Sequence, residues 1–288
     1  MGHERIATEC ICCANNQLQK SPAILMPFVA HRVFGWAPVK IDASWGLRTI
    51  TDGMAYTLCQ SLFCEQCQCL FLEMRFSDQE MRNLYDGYRD EKYTALRESY
   101  EPGYQKRNEK LLRGADYLDR IEHFLMPYLS FPITILDYGG DTGINTPFKN
   151  KNAHIYLYDI NEPDLNANTM RVGRSDIKKY AYDLIICSHL LEHVPYPVET
   201  LRDIKTLMSH KTILYIELPF EKLMREMKNG ENISSKKRHW HEHINFFSLS
   251  SLKALLQLSG FEIIKIEILT LQSDVKLTHS FQIICTVA

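Results

Sequence analysis

The chain has 288 residues, is 45% hydrophobic and carries a formal net charge of −2, enough for one large domain or a moderate one with an appended module. A balance this close to neutral excludes a molecule drawn as a whole to phosphate backbones or anionic membranes. No apolar run reaches membrane-spanning length, and the start, Met1-Gly2-His3-Glu4-Arg5, lacks an apolar signal core, so the expected location is cytoplasmic.

Seven of the nine cysteines fall between Cys10 and Cys69, and in a reducing compartment such clustering favours metal over disulfides. Cys10-Ile11-Cys12-Cys13 and Cys64-Glu65-Gln66-Cys67 each contain a CxxC pair. A structural zinc takes four soft ligands in a tetrahedron, two from each tight turn. The set built from two CxxC pairs is Cys10, Cys13, Cys64 and Cys67; Cys12, Cys59 and Cys69 are spare, and free or redox-active thiols are the other reading. Between the pairs, Pro27, Trp36, Pro38 and Trp45 break any helical period, and the segment reads as irregular or short-stranded.

Leu70-Phe71-Leu72 is a predicted strand, and Ser77-Asp78-Gln79-Glu80 is a capping box opening a helix with Met81, Leu84 and Tyr85. Residues 1–76 thus form a predicted zinc-binding module and 77–130 a helical linker and cap. Within the linker, Asp86 to Tyr104 reads as a hinge or substrate-facing loop broken by Pro102-Gly103. Leu111, Leu112, Ala115, Leu118, Ile121 and Leu125 predict a single amphipathic helix.

From Ile133 strand and helix signals alternate, which implies parallel crossovers and a doubly wound sheet over 131–288. Ile133 to Leu136 runs into Asp137-Tyr138-Gly139-Gly140-Asp141-Thr142-Gly143, a strand closed by an acid and a glycine-rich turn. Glycines there let backbone approach a ligand at the strand's carboxyl end. A second predicted strand, Ala153 to Tyr158, ends in Asp159, placed to accept from a ribose diol. The Asp-x-Gly-Gly-x-x-Gly spacing resembles the first signature of class I S-adenosylmethionine-dependent methyltransferases, with Asp141 where that family usually has its middle glycine. The resemblance implies cofactor contacts from Asp137, Gly139, Gly140, Gly143 and Asp159.

The next strand, Tyr182 to Cys187, enters Ser188-His189-Leu190-Leu191-Glu192-His193-Val194-Pro195, similar to the "YDLI…HxLEHxxxP" signature of the same family. That similarity implies that Ser188 and His189 flank the cofactor's methionine end and that Asp176 accepts from the adenine amine. Glu192 and His193 are open between bracing the loop and catalysis. Thr212 to Glu217 is a further strand, followed by Leu218-Pro219, and 220–235 reads as a mobile helix or lid. Arg238-His239-Trp240-His241-Glu242-His243-Ile244-Asn245-Phe246-Phe247-Ser248 is similar to the "EHxxxFS" segment of methyltransferases acting on sugars and small metabolites. Its histidines offer a general base near neutral pH: His243 or His241, with His189 as rival. Alternation of His239, His241 and His243 places them on one face if the segment is a strand, where a divalent ion is the lesser alternative.

A helix from Ser250 to Leu258 stops at Gly260, and strands at Glu262 to Ile268 and Ser280 to Val287, joined by a short polar connection, predict a closing hairpin with an antiparallel last strand. The expectation is a doubly wound, seven-stranded, Rossmann-like methyltransferase sheet behind a small zinc-binding module, a pairing that resembles certain sugar C- and O-methyltransferases. The resemblance implies methyl transfer from S-adenosylmethionine to a small polar acceptor, a sugar or nucleotide sugar, with structural zinc. Two alternatives are an RNA methyltransferase using a Lys236-Lys237-Arg238 patch and a non-catalytic binding protein.

Overall fold

The computed structural model describes residues 5–46, 53–161, 165, 169–228, 231–272 and 277–288; the chain start and the connection between the closing strands lie outside these. The chain begins with β1 (Leu18–Leu25), α1 (Pro27–Phe34), β2 (Val39–Ile41), β3 (Gly53–Ala55), β4 (Leu58–Cys64) and β5 (Leu70–Leu72). α1 lies in a stretch read as irregular: Pro27 opens it at a position where a missing N–H costs nothing, and Gly35 at φ 67° ends it. α2 (Asp78–Tyr85) starts at the expected capping box, with Ser77 Oγ accepting from Glu80 N–H and Glu80 Oε2 accepting from Ser77 N–H.

The expected loop over Asp86–Tyr104 is instead largely α3 (Glu91–Tyr100), capped by Asp90 Oδ1 accepting from Tyr93 N–H at 2.7 Å. An Asp cap needs no apolar period to start a helix. The single helix expected over 111–125 is two, α4 (Tyr104–Leu111) and α5 (Leu118–Leu125), separated at Gly114 with φ 80°.

The second half contains β6 (Ile133–Tyr138), β7 (Ala153–Tyr158), β8 (Thr169–Arg171), β9 (Leu184–Ser188), α6 (Pro197–Lys205), β10 (Ile213–Pro219) and α7 (Lys222–Arg225). It closes with β11 (His239–Trp240), β12 (Asn245–Phe246), α8 (Leu249–Ser259), β13 (Phe261–Gln272) and β14 (Leu277–Val287). Seven strands form one sheet in the order β13-β14-β10-β9-β6-β7-β8, parallel except for β14, which runs antiparallel to both neighbours. The sheet and closing hairpin are those expected. The first crossover is not: residues 139–152 are turns without a helix, because glycines and left-handed Asp141 and Phe148 interrupt helical dihedrals. α5 covers that face instead, packing Ile121, Phe124 and Leu125 on Ile133, Ile135, Ile155 and Ile186. α6 and α8 cover the other face through Leu201, Ile204, Leu252 and Leu255.

A five-stranded sheet runs β11-β1-β4-β5-β12. Its outer strands come from 239–246, so the histidine-rich segment is stitched into the N-terminal sheet. Trp240, fully buried, donates from Nε1 to Ser61 Oγ at 2.8 Å on β4. Asn245 pairs with Phe71 on β5.

Candidate active site

β6 and β9 are neighbours where the strand order reverses, and open α/β sheets bind ligands outside the carboxyl ends of strands at such a point. β6 brings Asp137 there, buried and accepting from Thr146 Oγ1 at 2.5 Å. Burial pushes its carboxyl up to about 6, with Thr146 opposing. A Cβ at Gly140 would strike the Asp137 carboxylate, so glycine alone lets the turn fold over the acid. Asp141 holds a left-handed φ of 53°, which costs an L residue about 1–2 kcal/mol. Two contacts keep it there: its N–H donates to Asp159 Oδ2 at 2.9 Å, and its Oδ2 pairs with Arg89 Nη1 at 3.2 Å. Asp159 also accepts from Asn161 N–H at 2.9 Å; burial raises its pKa while these N–H donors oppose.

Asp137, Gly139, Gly140, Asp159, Ser188 and His189 line one cavity of about 1500 Å³. Gly143 does not; at φ 74° it closes the turn, donating to Gly140 O at 2.9 Å. Asp176 also stands outside the lining, its carboxylate turned to Lys179 at 2.6 Å. A short, exposed turn before β9 leaves it facing solvent rather than the sheet's carboxyl edge.

His189 follows β9 at φ 51°, a conformation rare for a non-glycine residue and found at functional sites. Its Nδ1 lies 3.3 Å from Glu192 Oε1 and its Nε2 3.4 Å from Glu217 Oε1. Desolvation within the cavity works against its charge, although the side chain remains 42% exposed, but these two carboxylates prevail and push its pKa up to about 10. Glu217 is fully buried and also accepts from Tyr117 and Tyr215 hydroxyls at 3.0 and 2.9 Å. Burial opposes the charge of Glu192 too, yet the His189 bond and neighbouring histidines bring its carboxyl down to about 2.

Beside this pair, His193 and His243 meet edge to face with ring centroids 4.7 Å apart. His193 Nδ1 lies 3.0 Å from Glu242 O and 2.7 Å from Tyr85 Oη. A carbonyl only accepts, so Nδ1 carries the proton and Nε2 the lone pair. Burial, then His243, pull the His193 pKa down to about 4, so the ring is neutral. His243 Nδ1 lies 2.9 Å from Glu221 Oε1 and donates to that carboxylate.

The other two histidines of the segment go elsewhere. The strand expected to align them spans only His239–Trp240, and His239 is exposed. His241 is absent from the cavity lining and is clamped by Glu101 at 2.5 Å and Glu242 at 2.7 Å. Burial disfavours its charge, but the carboxylates raise its pKa to about 9. Arg97, 2% exposed, completes this clamp through Glu242 at 2.8 Å and Glu101 at 3.1 Å. The expected cationic patch is also depleted: Lys237 stacks over Trp240 and Phe246 at 4.9 and 4.4 Å, and Lys236 pairs with Glu231.

Sequence reading passed over Tyr85, Arg89, Glu217 and Glu221. For Glu217 a signal existed, an acid inside the apolar run Ile213–Pro219, since burying a charge in a strand is costly unless it is used.

The four cysteines of the two CxxC pairs converge, their Sγ atoms all within 4.8 Å of one another. Cys10 and Cys67 are 3.4 Å apart and Cys13 and Cys64 3.6 Å, against about 3.8 Å for thiolates bound tetrahedrally at about 2.3 Å. The knuckles match: Ala14 and Gln68, each after the second cysteine, take φ 57° and 61° and donate to Cys10 O and Cys64 O. The donor set and both turns fit zinc. Cys12 and Cys69, fully buried, pair with each other at 3.4 Å, outside this set.

The parallel sheet with one antiparallel strand near its edge, the glycine turn after β6 and the acid after β7 define a Rossmann-like α/β protein of the class I methyltransferase kind. The chain belongs to the methyltransferase-domain family, whose sequence profile matches residues 104–266, and it is a methyltransferase. Similar solved structures include a methyltransferase of Methanosarcina mazei described as SAM-dependent (18% identity, TM-score 0.43, covering 57% of this chain and 96% of that one). Another is the Burkholderia thailandensis 1,6-didemethyltoxoflavin-N1-methyltransferase with 1,6-didemethyltoxoflavin and S-adenosylhomocysteine bound (15% identity, TM-score 0.48, covering 68% and 89%). A third is a glycopeptide N-methyltransferase complexed with sinefungin (10% identity, TM-score 0.46, covering 61% and 95%). No curated protein matches the chain. Among the described residues no helix is long and apolar enough to cross a membrane.

Proposed function

We propose that the chain transfers the methyl group of S-adenosylmethionine to a small polar acceptor of the sugar or nucleotide-sugar class. The observation that carries this reading is that one cavity joins the Asp137, Gly140 and Asp159 mouth to the His193 and His243 end. The mouth suits the cofactor: Gly139 and Gly140 expose backbone, Asp159 offers carboxylate oxygens to a diol, and the acids Asp137 and Asp141 favour a cationic ligand. When bound there, S-adenosylmethionine supplies a methyl carbon already activated by its sulfonium.

The residues of the chain then align the acceptor, exclude water and move a proton. A protonated imidazole accepts no proton, so His189 and His241, each held charged between two carboxylates, are poor bases. His243, with its lone pair on Nε2 and Glu221 behind Nδ1, takes the acceptor's proton, and His193 stands beside it. Tyr85, Tyr88 and Tyr104 line the same cavity, where aromatic side chains suit a sugar ring, and Arg82 and Arg107 supply cations for a phosphate. The Cys10, Cys13, Cys64 and Cys67 set holds a structural zinc that braces β4 and β5, and through β12 the histidine segment. The depleted cationic patch counts against RNA as the acceptor.

The test uses labelled S-adenosylmethionine with a panel of nucleotide sugars. Wild type should label a panel member, and His243→Ala should lose that transfer while cofactor affinity by calorimetry stays within about twofold. Undiminished transfer by His243→Ala would remove His243 from the mechanism.

A further inference from the structure

We propose that Glu192, His193 and His243 form a site for a first-row divalent cation at the acceptor end of the cavity, separate from the cysteine cluster. This rests on reading that cavity as the methyl-transfer site. One donor atom from each residue lies within 4.8 Å of the other two, and His193 Nε2 is 3.8 Å from Glu192 Oε1. Glu192 is 2% exposed, and among the described residues its Oε2 has no hydrogen-bond partner. A carboxylate oxygen buried without a hydrogen bond is an unfilled acceptor even while its neighbour Oε1 meets His189 at 3.3 Å, and a bound cation fills it.

The imidazoles are set as metal ligands are. A ligating histidine almost always donates its second N–H to a carboxylate or carbonyl, which fixes the ring and leaves the other nitrogen for the metal. His193 has the Glu242 carbonyl at 3.0 Å in that role, and His243 has the Glu221 carboxylate at 2.9 Å. Donors held about 2.1 Å from an ion stand about 3–3.5 Å apart, so the three draw together by about an ångström on binding. The half-buried His243 is the one with room to move.

Two imidazoles and one carboxylate with open positions suit Fe²⁺, Mn²⁺, Co²⁺ or Zn²⁺ rather than the all-oxygen shells of Mg²⁺ and Ca²⁺. The open positions face the cavity that all three residues line. A cation there lowers the pKa of a hydroxyl that coordinates it, so that its proton passes to water; with its Nε2 lone pair on the ion, His243 then acts on the acceptor through the metal instead of taking the proton itself, and acceptors with an oxygen in reach are selected.

The test is a Co²⁺ titration of the full chain, followed by visible absorption, in wild type, Glu192→Gln and His243→Gln, with S-adenosylmethionine calorimetry on the same preparations. Co²⁺ on nitrogen and oxygen ligands gives weak visible bands without the strong thiolate charge transfer that marks the cysteine cluster. Wild type should show both signatures; each variant should lose the weak bands, with affinity at least about 10-fold lower, and keep the thiolate signature as proof of folding. A wild type with only thiolate bands, or equal weak bands in all three proteins, overturns the site. Cofactor binding without the weak bands defeats the cation alone, whereas weak bands without cofactor binding defeat the methyl-transfer reading alone.

Discussion

Replacing Asn245 with Ala removes the clamp between the two segments that carry His193 and His243. Asn245 is 1% exposed; its Nδ2 donates to Leu191 O at 2.9 Å and Val194 O at 2.7 Å, and its Oδ1 accepts from Arg75 Nη1 at 2.9 Å. Each bond contributes about 1 kcal/mol net, and buried partners left unpaired add to the loss, so the expected destabilisation is about 3–4 kcal/mol. Arg75 keeps Pro195 O at 3.0 Å, which limits the loss on that side. The 192–194 loop is then held to β12 by the Glu192 carbonyl, which accepts from Ile244 and Asn245 N–H. A displacement of about 1 Å at a reacting group can cost about 100-fold in rate, so turnover should fall by that order while cofactor affinity stays near wild type. Urea unfolding, labelled-methyl transfer and calorimetry read the three quantities. A variant within about 0.5 kcal/mol of wild type, with undiminished turnover, would refute the clamp.

Three further outcomes follow from the geometry. Asp137 has a folded-state pKa of about 6 against an ordinary 3.8, so the native state binds more protons between those values and stability falls as pH rises through that window, by about 3 kcal/mol in all. Asp137→Asn should abolish that slope, and urea unfolding of both proteins between pH 4 and 7 would show it; parallel profiles contradict it. Removing zinc from the cysteine cluster, or Cys64→Ser, should lower the melting temperature sharply, since structural zinc sites contribute about 10–16 kcal/mol in small peptides; protein containing no zinc and melting unchanged after chelation would contradict the assignment. Arg89→Ala should leave Asp141 unpaired in its left-handed conformation and weaken S-adenosylmethionine binding, read by calorimetry, and unchanged affinity would remove Arg89 from the cofactor site.

The sheet was legible because its central strands are short apolar runs ending in acids or glycines, as Ile133–Tyr138 and Ala153–Tyr158 do. The Thr169–Arg171 strand was not, having three residues and no buried one. α3 was hidden by a polar, tyrosine-rich composition whose helix is set by an Asp cap and by burial of Tyr93 and Arg97. At the site, residue types pointed to the right segments, but roles depended on partners distant in sequence. Tyr85 meets His193 across 108 residues and Arg89 meets Asp141 across 52. Three alternating histidines look equivalent in the sequence; the carboxylates from Glu101, Glu221 and Glu242 make them different.

The proposed methyl transfer requires the mouth formed by Asp137, Gly140 and Asp159 to hold S-adenosylmethionine. Calorimetric titration of the full chain with that cofactor is the most direct test, set beside Asp159→Ala. Saturable binding at one site per chain, weakened at least about 10-fold when the Asp159 carboxylate and its charge-assisted hydrogen bonds are removed, is the expected result. No binding by wild type, or equal binding by the two proteins, would contradict it.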